Sequence, residues 1–270
     1  MGLISDWVTY GPNQRFRGYL SMYDRTGAAP AILVIQEFWG VDNYLRDVTE
    51  RFAKAGYIAF APDLYSEDGK RIIDLSEERI LEAKQFLDTI PPTTWTDKEA
   101  RSSLMQFPLE KREQVNETLD RLFDWPNQTQ IHLENALEAL RYLRNEQPQT
   151  IGQPIGSIGF CMGGGISGLL ACRDPELKGA VVFYGNMPPE QLVPQINCPV
   201  LGFFGELDKP FTEPVADFAQ VMNRLQKSFE YHIYEQVKHA FFNETRPMYN
   251  AAASRDAFAR TLSFFNQTLN

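Results

Sequence analysis

Short runs punctuate the chain at a spacing that leaves room for a helix between most of them: Ala31 to Ile35, Tyr57 to Ala61, Pro154 to Gly159, Ala180 to Tyr184 and Val200 to Phe204. Ala31-Ile-Leu-Val-Ile35 is apolar throughout, without the in-and-out alternation of a half-exposed strand, and so predicts a strand buried on both faces. Between the first two runs, Leu45, Val48, Phe52 and Ala55 recur at helical spacing until Gly56 ends the pattern. Leu133, Leu137, Leu140 and Leu143 predict another helix ahead of the third run. Helical patterns at 214–226 and 247–266 flank a last strand, Phe229 to Tyr234. Two β-like runs open the chain, Trp7 to Tyr10 and Arg15 to Met22, split by the turn signal Gly11-Pro12-Asn13.

Strand and helix alternating in this way predict an α/β fold with a mostly parallel central sheet and helices on both faces. The alternation stops at 66–128. That stretch reads as highly charged helical segments broken by Pro91-Pro92, Pro108 and Pro126, with no flexible linker at either end. It is expected to be a helical insertion over the strand ends, within a single domain spanning residues 1–270.

Hydrophobic residues make up 43% of the 270 positions and aromatics 13%, which suits a packed core and excludes a disordered chain. The formal charge is −9 and no cluster of Lys and Arg occurs, so nucleic acid and anionic membrane are not expected partners. No run approaches the ~18 apolar residues of a membrane span, and the first residues lack the basic-then-apolar pattern of a secretory leader. Cys161, Cys172 and Cys198 are an odd, unpaired set, which points to a reducing compartment and a cytoplasmic location. Asn-x-Thr sequons at Asn116, Asn127, Asn243 and Asn266 carry no weight in such a chain. The oligomeric state is left open.

The strongest local signal is Gly159-Phe-Cys161-Met-Gly163-Gly164, set between a predicted strand and a small-residue helix. It is the nucleophile-elbow pattern with Cys in place of Ser. A nucleophile on so sharp a turn needs small neighbours two residues away on either side, and Gly159 and Gly163 supply them. The helix that follows aims its N-terminal amides at the sulfur, favouring the thiolate, and the Met162 N–H becomes a candidate oxyanion donor. The plainer alternative is a structural Cys in a Gly-rich turn. Cys172 and Cys198 lie in apolar settings that predict core positions.

A cysteine nucleophile needs a base, and the chain has three histidines. His132 falls early in a helix and His232 inside an alternating strand; His239 follows that strand in a loop, where α/β-hydrolases keep their base. Asp208 in Gly205-Glu-Leu-Asp208 follows the strand Val200 to Phe204 and is the candidate acid, with Glu206 as the alternative. The order Cys161, Asp208, His239 is the nucleophile–acid–base order of α/β-hydrolases. Glu37, in Gln36-Glu37-Phe38-Trp39-Gly40, follows the strand Ala31 to Ile35, and Phe38 N–H is the candidate second oxyanion donor. A carboxylate between apolar neighbours needs a polar partner. The histidines show no ligand spacing, so no metal is expected.

Gln36-Glu37-Phe-Trp-Gly40, Gly159-Phe-Cys161-Met-Gly-Gly164, Gly205-Glu-Leu-Asp208 and His239-Ala-Phe241 together resemble the dienelactone hydrolase family, over roughly residues 15–265 apart from the insertion. The resemblance implies an α/β-hydrolase fold and a hydrolase of small esters or lactones. It also implies a Cys-His-Asp triad, a thioester acyl-enzyme and no cofactor. It further implies that Glu37 interacts with the Cys161 thiol and keeps it protonated until substrate displaces it. Members that cleave dienelactone hold the substrate carboxylate with two arginines. Arg112, in Arg112-Glu113-Gln114, matches one. Asn243 stands where the other would be, four residues after His239, with Arg246 as a nearby alternative. An amide cannot replace a bidentate cation, so the substrate is as well described as another small ester or lactone. A non-catalytic binding module and an acyltransferase using the same Cys are the rival classes.

Overall fold

The computed structural model describes residues 2–24 and 27–269. An eight-stranded sheet runs through it in the order β1-β2-β4-β3-β7-β8-β9-β10. The strands are β1 (Leu3–Tyr10), β2 (Phe16–Tyr23), β3 (Ala31–Ile35), β4 (Ile58–Pro62), β7 (Ile155–Phe160), β8 (Gly179–Phe183), β9 (Val200–Gly205) and β10 (Phe229–Tyr234). β1 and β2 pair antiparallel, and β2 joins β4 antiparallel. From β4 to β10 every pairing is parallel. β5 (Ser66–Glu67) and β6 (Lys70–Arg71) form a separate small hairpin. The helices are α1 (Asn43–Lys54), α2 (Glu77–Leu87), α3 (Lys98–Leu104), α4 (Leu109–Phe123), α5 (Thr129–Asn145), α6 (Met162–Arg173), α7 (Lys209–Thr212), α8 (Val215–Arg224) and α9 (Ala251–Thr268).

β3 explains why its run never alternates. Ala31, Leu33 and Ile35 point into a cluster with Leu133 and Leu140 of α5 and Ile166 and Leu170 of α6. Ile32 and Val34 point the other way, into a cluster with Leu45 and Val48 of α1 and Ala257 and Phe265 of α9. Each face is covered by helices, so both sets of side chains must be apolar. Leu140 and Leu143 are fully buried, and burying each contributes roughly 2 kcal/mol against exposure.

The segment 66–128 holds the β5–β6 hairpin, which the sequence pattern does not announce, followed by α2, α3 and α4. It packs across the ends of the parallel strands through specific contacts. Arg246 donates to both Asp88 oxygens at 3.1 and 2.7 Å, and its guanidinium lies 5.4 Å from the Trp39 ring centre. Lys84 of α2 pairs with Asp42 at 3.4 Å and sits 5.5 Å from the same ring. Phe123 of α4 meets Phe38 with ring centres 6.2 Å apart. Arg101 is buried and donates to Asn116 Oδ1 at 2.9 Å and to the Trp95 carbonyl at 3.1 Å, and it pairs with Asp120, so the segment has a polar core of its own.

The Arg246 side chain is buried while Asp88 remains partly exposed. Removing the acid leaves a buried guanidinium unpaired, which costs more than losing a surface pair. Asp88→Ala is therefore expected to lose about 2 kcal/mol, read as a lower urea midpoint with an unchanged slope.

Candidate active site

Five side chains that converge here each follow the carboxyl end of a strand, and the five strands are neighbours in the sheet. Glu37 follows β3, Cys161 follows β7, Tyr184 follows β8, Asp208 follows β9 and His239 follows β10. Parallel strands place their C-terminal loops on one edge, which is where open α/β sheets build their sites.

Cys161 occupies φ 54°, ψ −117°, a backbone conformation that a non-glycine residue rarely adopts. Its N–H donates to the Phe183 carbonyl at 3.0 Å, and α6 starts at the next residue. The turn is possible because its neighbours carry no side chain. A Cβ on Gly159 would stand 1.9 Å from the Gly163 carbonyl oxygen, and one on Gly163 would stand 2.4 Å from that of Gln36. Met162 is the first residue of α6, so its N–H has no partner within the helix and faces the end where the dipole favours negative charge. The candidate second donor, Phe38, is fixed by its own carbonyl, which accepts from the Tyr65 hydroxyl at 2.7 Å.

His239 Nδ1–H donates to Asp208 Oδ2 at 2.6 Å. The imidazole is flanked by Tyr184 and Phe211, with ring centres 5.0 and 4.9 Å away. Burial pushes its pKa down, but the Cys161 sulfur, by charge and by hydrogen bond, and the Asp208 carboxylate outweigh this and raise it to about 10. The candidate nucleophile, base and acid, Cys161, His239 and Asp208, are thus brought together. The alternative acid, Glu206, is used differently. Its Oε2 accepts from Gln236 N at 2.8 Å and from Gln236 Nε2 at 3.2 Å, tying the acid loop to the His239 loop.

Glu37 is 4% exposed. Its Oε1 accepts from the Tyr184 hydroxyl at 3.1 Å and its Oε2 from Asn243 Nδ2 at 2.8 Å. Burial raises its pKa and the Asn243 bond opposes this; Asp42 adds to the rise, while His239 and Lys84 pull against it. Both carboxylate oxygens therefore face partners other than the sulfur. Tyr184 has no part in the motif-based site, and Asn243 enters it only as the residue in place of a second arginine: Tyr184 reads as the last residue of an apolar run, and its position directly after a strand beside the elbow is the one signal pointing to it.

The remaining candidates separate. Arg112 lies in α4 with a buried Nε that has no hydrogen-bond partner, and no described contact joins it to Cys161, Asp208 or His239. Arg246 is taken by Asp88. His132, in α5, is buried and its pKa falls to about 4 because burial disfavours the charged ring. His232 bonds Glu230 at 2.7 Å and stacks on Phe203. Cys172 and Cys198 are buried, and burial pushes their thiols up to about 11 and about 12.

A strand–Cys–helix turn with a carboxylate-bound histidine across it, at the C-terminal edge of a mainly parallel sheet, defines an α/β-hydrolase. The model of the dienelactone hydrolase family matches residues 16–269. A "Putative carboxymethylenebutenolidase" of Saccharolobus solfataricus is 32% identical over 238 residues, covering 88% of this chain and 89% of that protein. A Bradyrhizobium sp. protein named "Probable 2-oxo-3-(5-oxofuran-2-ylidene)propanoate lactonase" is 30% identical, covering 97% and 94% of the two chains. The crystal structure of the dienelactone hydrolase from Anabaena variabilis superposes with a TM-score of 0.64 at 16% identity, covering 99% of each chain, a likeness of fold. The chain belongs to the dienelactone hydrolase family. No helix among the described residues is long and apolar enough to cross a membrane.

The His239 shift has a consequence for stability. A pKa raised from 6.5 to about 10 in the folded state gives stability that is full below the unfolded value and lost as pH rises through the folded one. The stability advantage of wild type over His239→Gln is therefore expected to be largest near about pH 6.5 and to shrink toward about pH 10, measured by urea unfolding across that range.

Proposed function

We propose that this protein hydrolyses a small ester or lactone through Cys161 as nucleophile, with His239 as the acid–base group, Asp208 as its orienting acid and a thioester acyl-enzyme between two half-reactions. The observation that carries the reading is the 2.6 Å bond from His239 Nδ1 to Asp208 Oδ2, which fixes the tautomer and leaves the other ring nitrogen for Cys161. The names of the relatives, butenolidase and lactonase, favour a small cyclic or open ester.

The Cys161 sulfur attacks the carbonyl carbon, and negative charge moves onto the oxygen, where the Met162 and Phe38 amides receive it. Collapse breaks the carbon–oxygen bond as His239 gives its proton to the leaving alkoxide. Water then enters, losing a proton to His239 as it attacks the thioester. The second collapse returns the thiolate and releases the acid. One ester and one water become one acid and one alcohol, with no cofactor or metal in the scheme. Arg112, with its unpartnered Nε, is the group in the covering segment suited to meet a substrate carboxylate. Three free cysteines fit a reducing, cytoplasmic setting.

Hydrolysis of p-nitrophenyl acetate is expected to fall at least about a thousandfold in Cys161→Ala, since removing a triad nucleophile typically costs more than that. Equal rates in the two proteins reject the assignment. Added alcohol that diverts the acyl group away from water identifies an acyltransferase instead.

A further inference from the structure

Between the β5–β6 hairpin and the junction of α4 with α5 lies a cavity of about 260 Å³. Cys161, Asp208 and His239 do not line it. Tyr65 does, and its hydroxyl donates to the Phe38 carbonyl at 2.7 Å. The cavity therefore adjoins the loop after β3 without forming part of the site described above.

Other polar side chains in the lining already have partners. Asn135 takes the Tyr10 hydroxyl on Oδ1 and gives Nδ2 to the Asp63 carbonyl at 3.2 Å. Gln128 donates to Asp124 Oδ2 at 2.7 Å, Arg121 pairs with Asp74 at 2.8 Å, and Arg15 with Glu67 at 3.5 Å. His132 differs. It is 4% exposed and its ring meets that of Tyr65 edge-on, with centres 5.7 Å apart. Its Nδ1 is buried with no hydrogen-bond partner among the described residues. A buried nitrogen left unpaired is unfavourable, and a ligand that pairs the ring relieves this.

The walls define what fits. Phe16, Leu64, Leu75 and the Tyr65 ring are buried and apolar, which suits a flat apolar body. The charged groups of the lining, Arg15 and Arg121 against Glu67 and Asp124, cancel. Burial keeps His132 uncharged, with its pKa at about 4. The lining thus offers an ion no excess counter-charge, which favours a neutral molecule. An uncharged imidazole presents one N–H and one bare nitrogen, and a hydroxyl can pair with either. The volume falls below the usual range of drug-sized sites, which limits the body to about one ring.

We infer that this cavity is a second ligand site, which takes a small neutral phenol through a hydrogen bond to the His132 imidazole. Titration with phenol itself, followed by the imidazole nitrogen signals in NMR, tests this. The chain has three histidines, and His232→Gln and His239→Gln identify the other two signals, leaving that of His132. The His132 signal is expected to move and to saturate in the roughly millimolar range usual for so few heavy atoms. Benzene, which has no hydroxyl, is expected to leave that nitrogen signal in place. His132→Phe keeps a planar ring and removes both nitrogens. It is expected to bind phenol at least about threefold more weakly, the loss of one neutral hydrogen bond, and to bind benzene no more weakly than wild type does.

A His132 signal that stays still up to about 20 mM phenol overturns the inference. So does benzene that moves it as far as phenol does, or a His132→Phe protein that binds phenol as wild type does. The first two readings are made in protein that keeps His132, so they stand even where His132→Phe does not fold. Binding is read here and not turnover, and Cys161→Ala is expected to bind phenol as wild type does. Failure of the nucleophile assignment therefore leaves this result intact.

Discussion

The close approach of backbone at residues 159–164 is the constraint on which the rest of the site depends. Cys161 is held in a strained conformation costing about 1–3 kcal/mol, and only packing on every side can keep it there. β7 supplies the entry and α6 the exit, and the Phe183 carbonyl takes the Cys161 N–H. A side chain at Gly159 or Gly163 would fill space already occupied by carbonyl oxygen atoms. With that turn in place, the sulfur stands over the sheet edge and the loops from β3, β8, β9 and β10 need only reach inward.

Charge is then distributed by solvation and hydrogen bonding. Asp208 and Glu37 are both buried carboxylates near one imidazole, yet they do different things. Asp208 meets His239 directly and stabilises its charged form. Glu37 meets an amide and a phenol, and burial raises its pKa. The difference arises from which neighbour each loop offers, since the two side chains carry the same functional group.

Much of the fold is legible in the sequence pattern. β3 and β10 coincide with their predicted runs, and the other large-sheet strands differ only at their ends, except that β1 reaches back to Leu3. The reason is that unbroken apolar runs between Gly and Pro have few other homes. The β5–β6 hairpin was not readable, because two-residue strands have no periodicity to detect. The Cys161, Asp208 and His239 candidates were legible because motif and chain order coincide. The setting of Glu37 was not: its partners lie 147 and 206 residues away in sequence, and nothing local marks Tyr184 or Asn243 as belonging with it. Arg246 was equally opaque, since its acid, Asp88, sits in a segment with no pattern tying it to the histidine loop.

The bridge between Arg246 and Asp88 joins the helical insertion to the stretch that follows His239, and Lys84 adds a second strut by pairing with Asp42 and bonding Thr245. The insertion and the His239 loop are thereby mechanically linked. Any displacement of the insertion must either drag the imidazole loop along or part these ions. Dissolved electrolyte screens buried and partly buried pairs far less than exposed ones, so this attachment holds largely independently of the ionic strength of the surrounding medium.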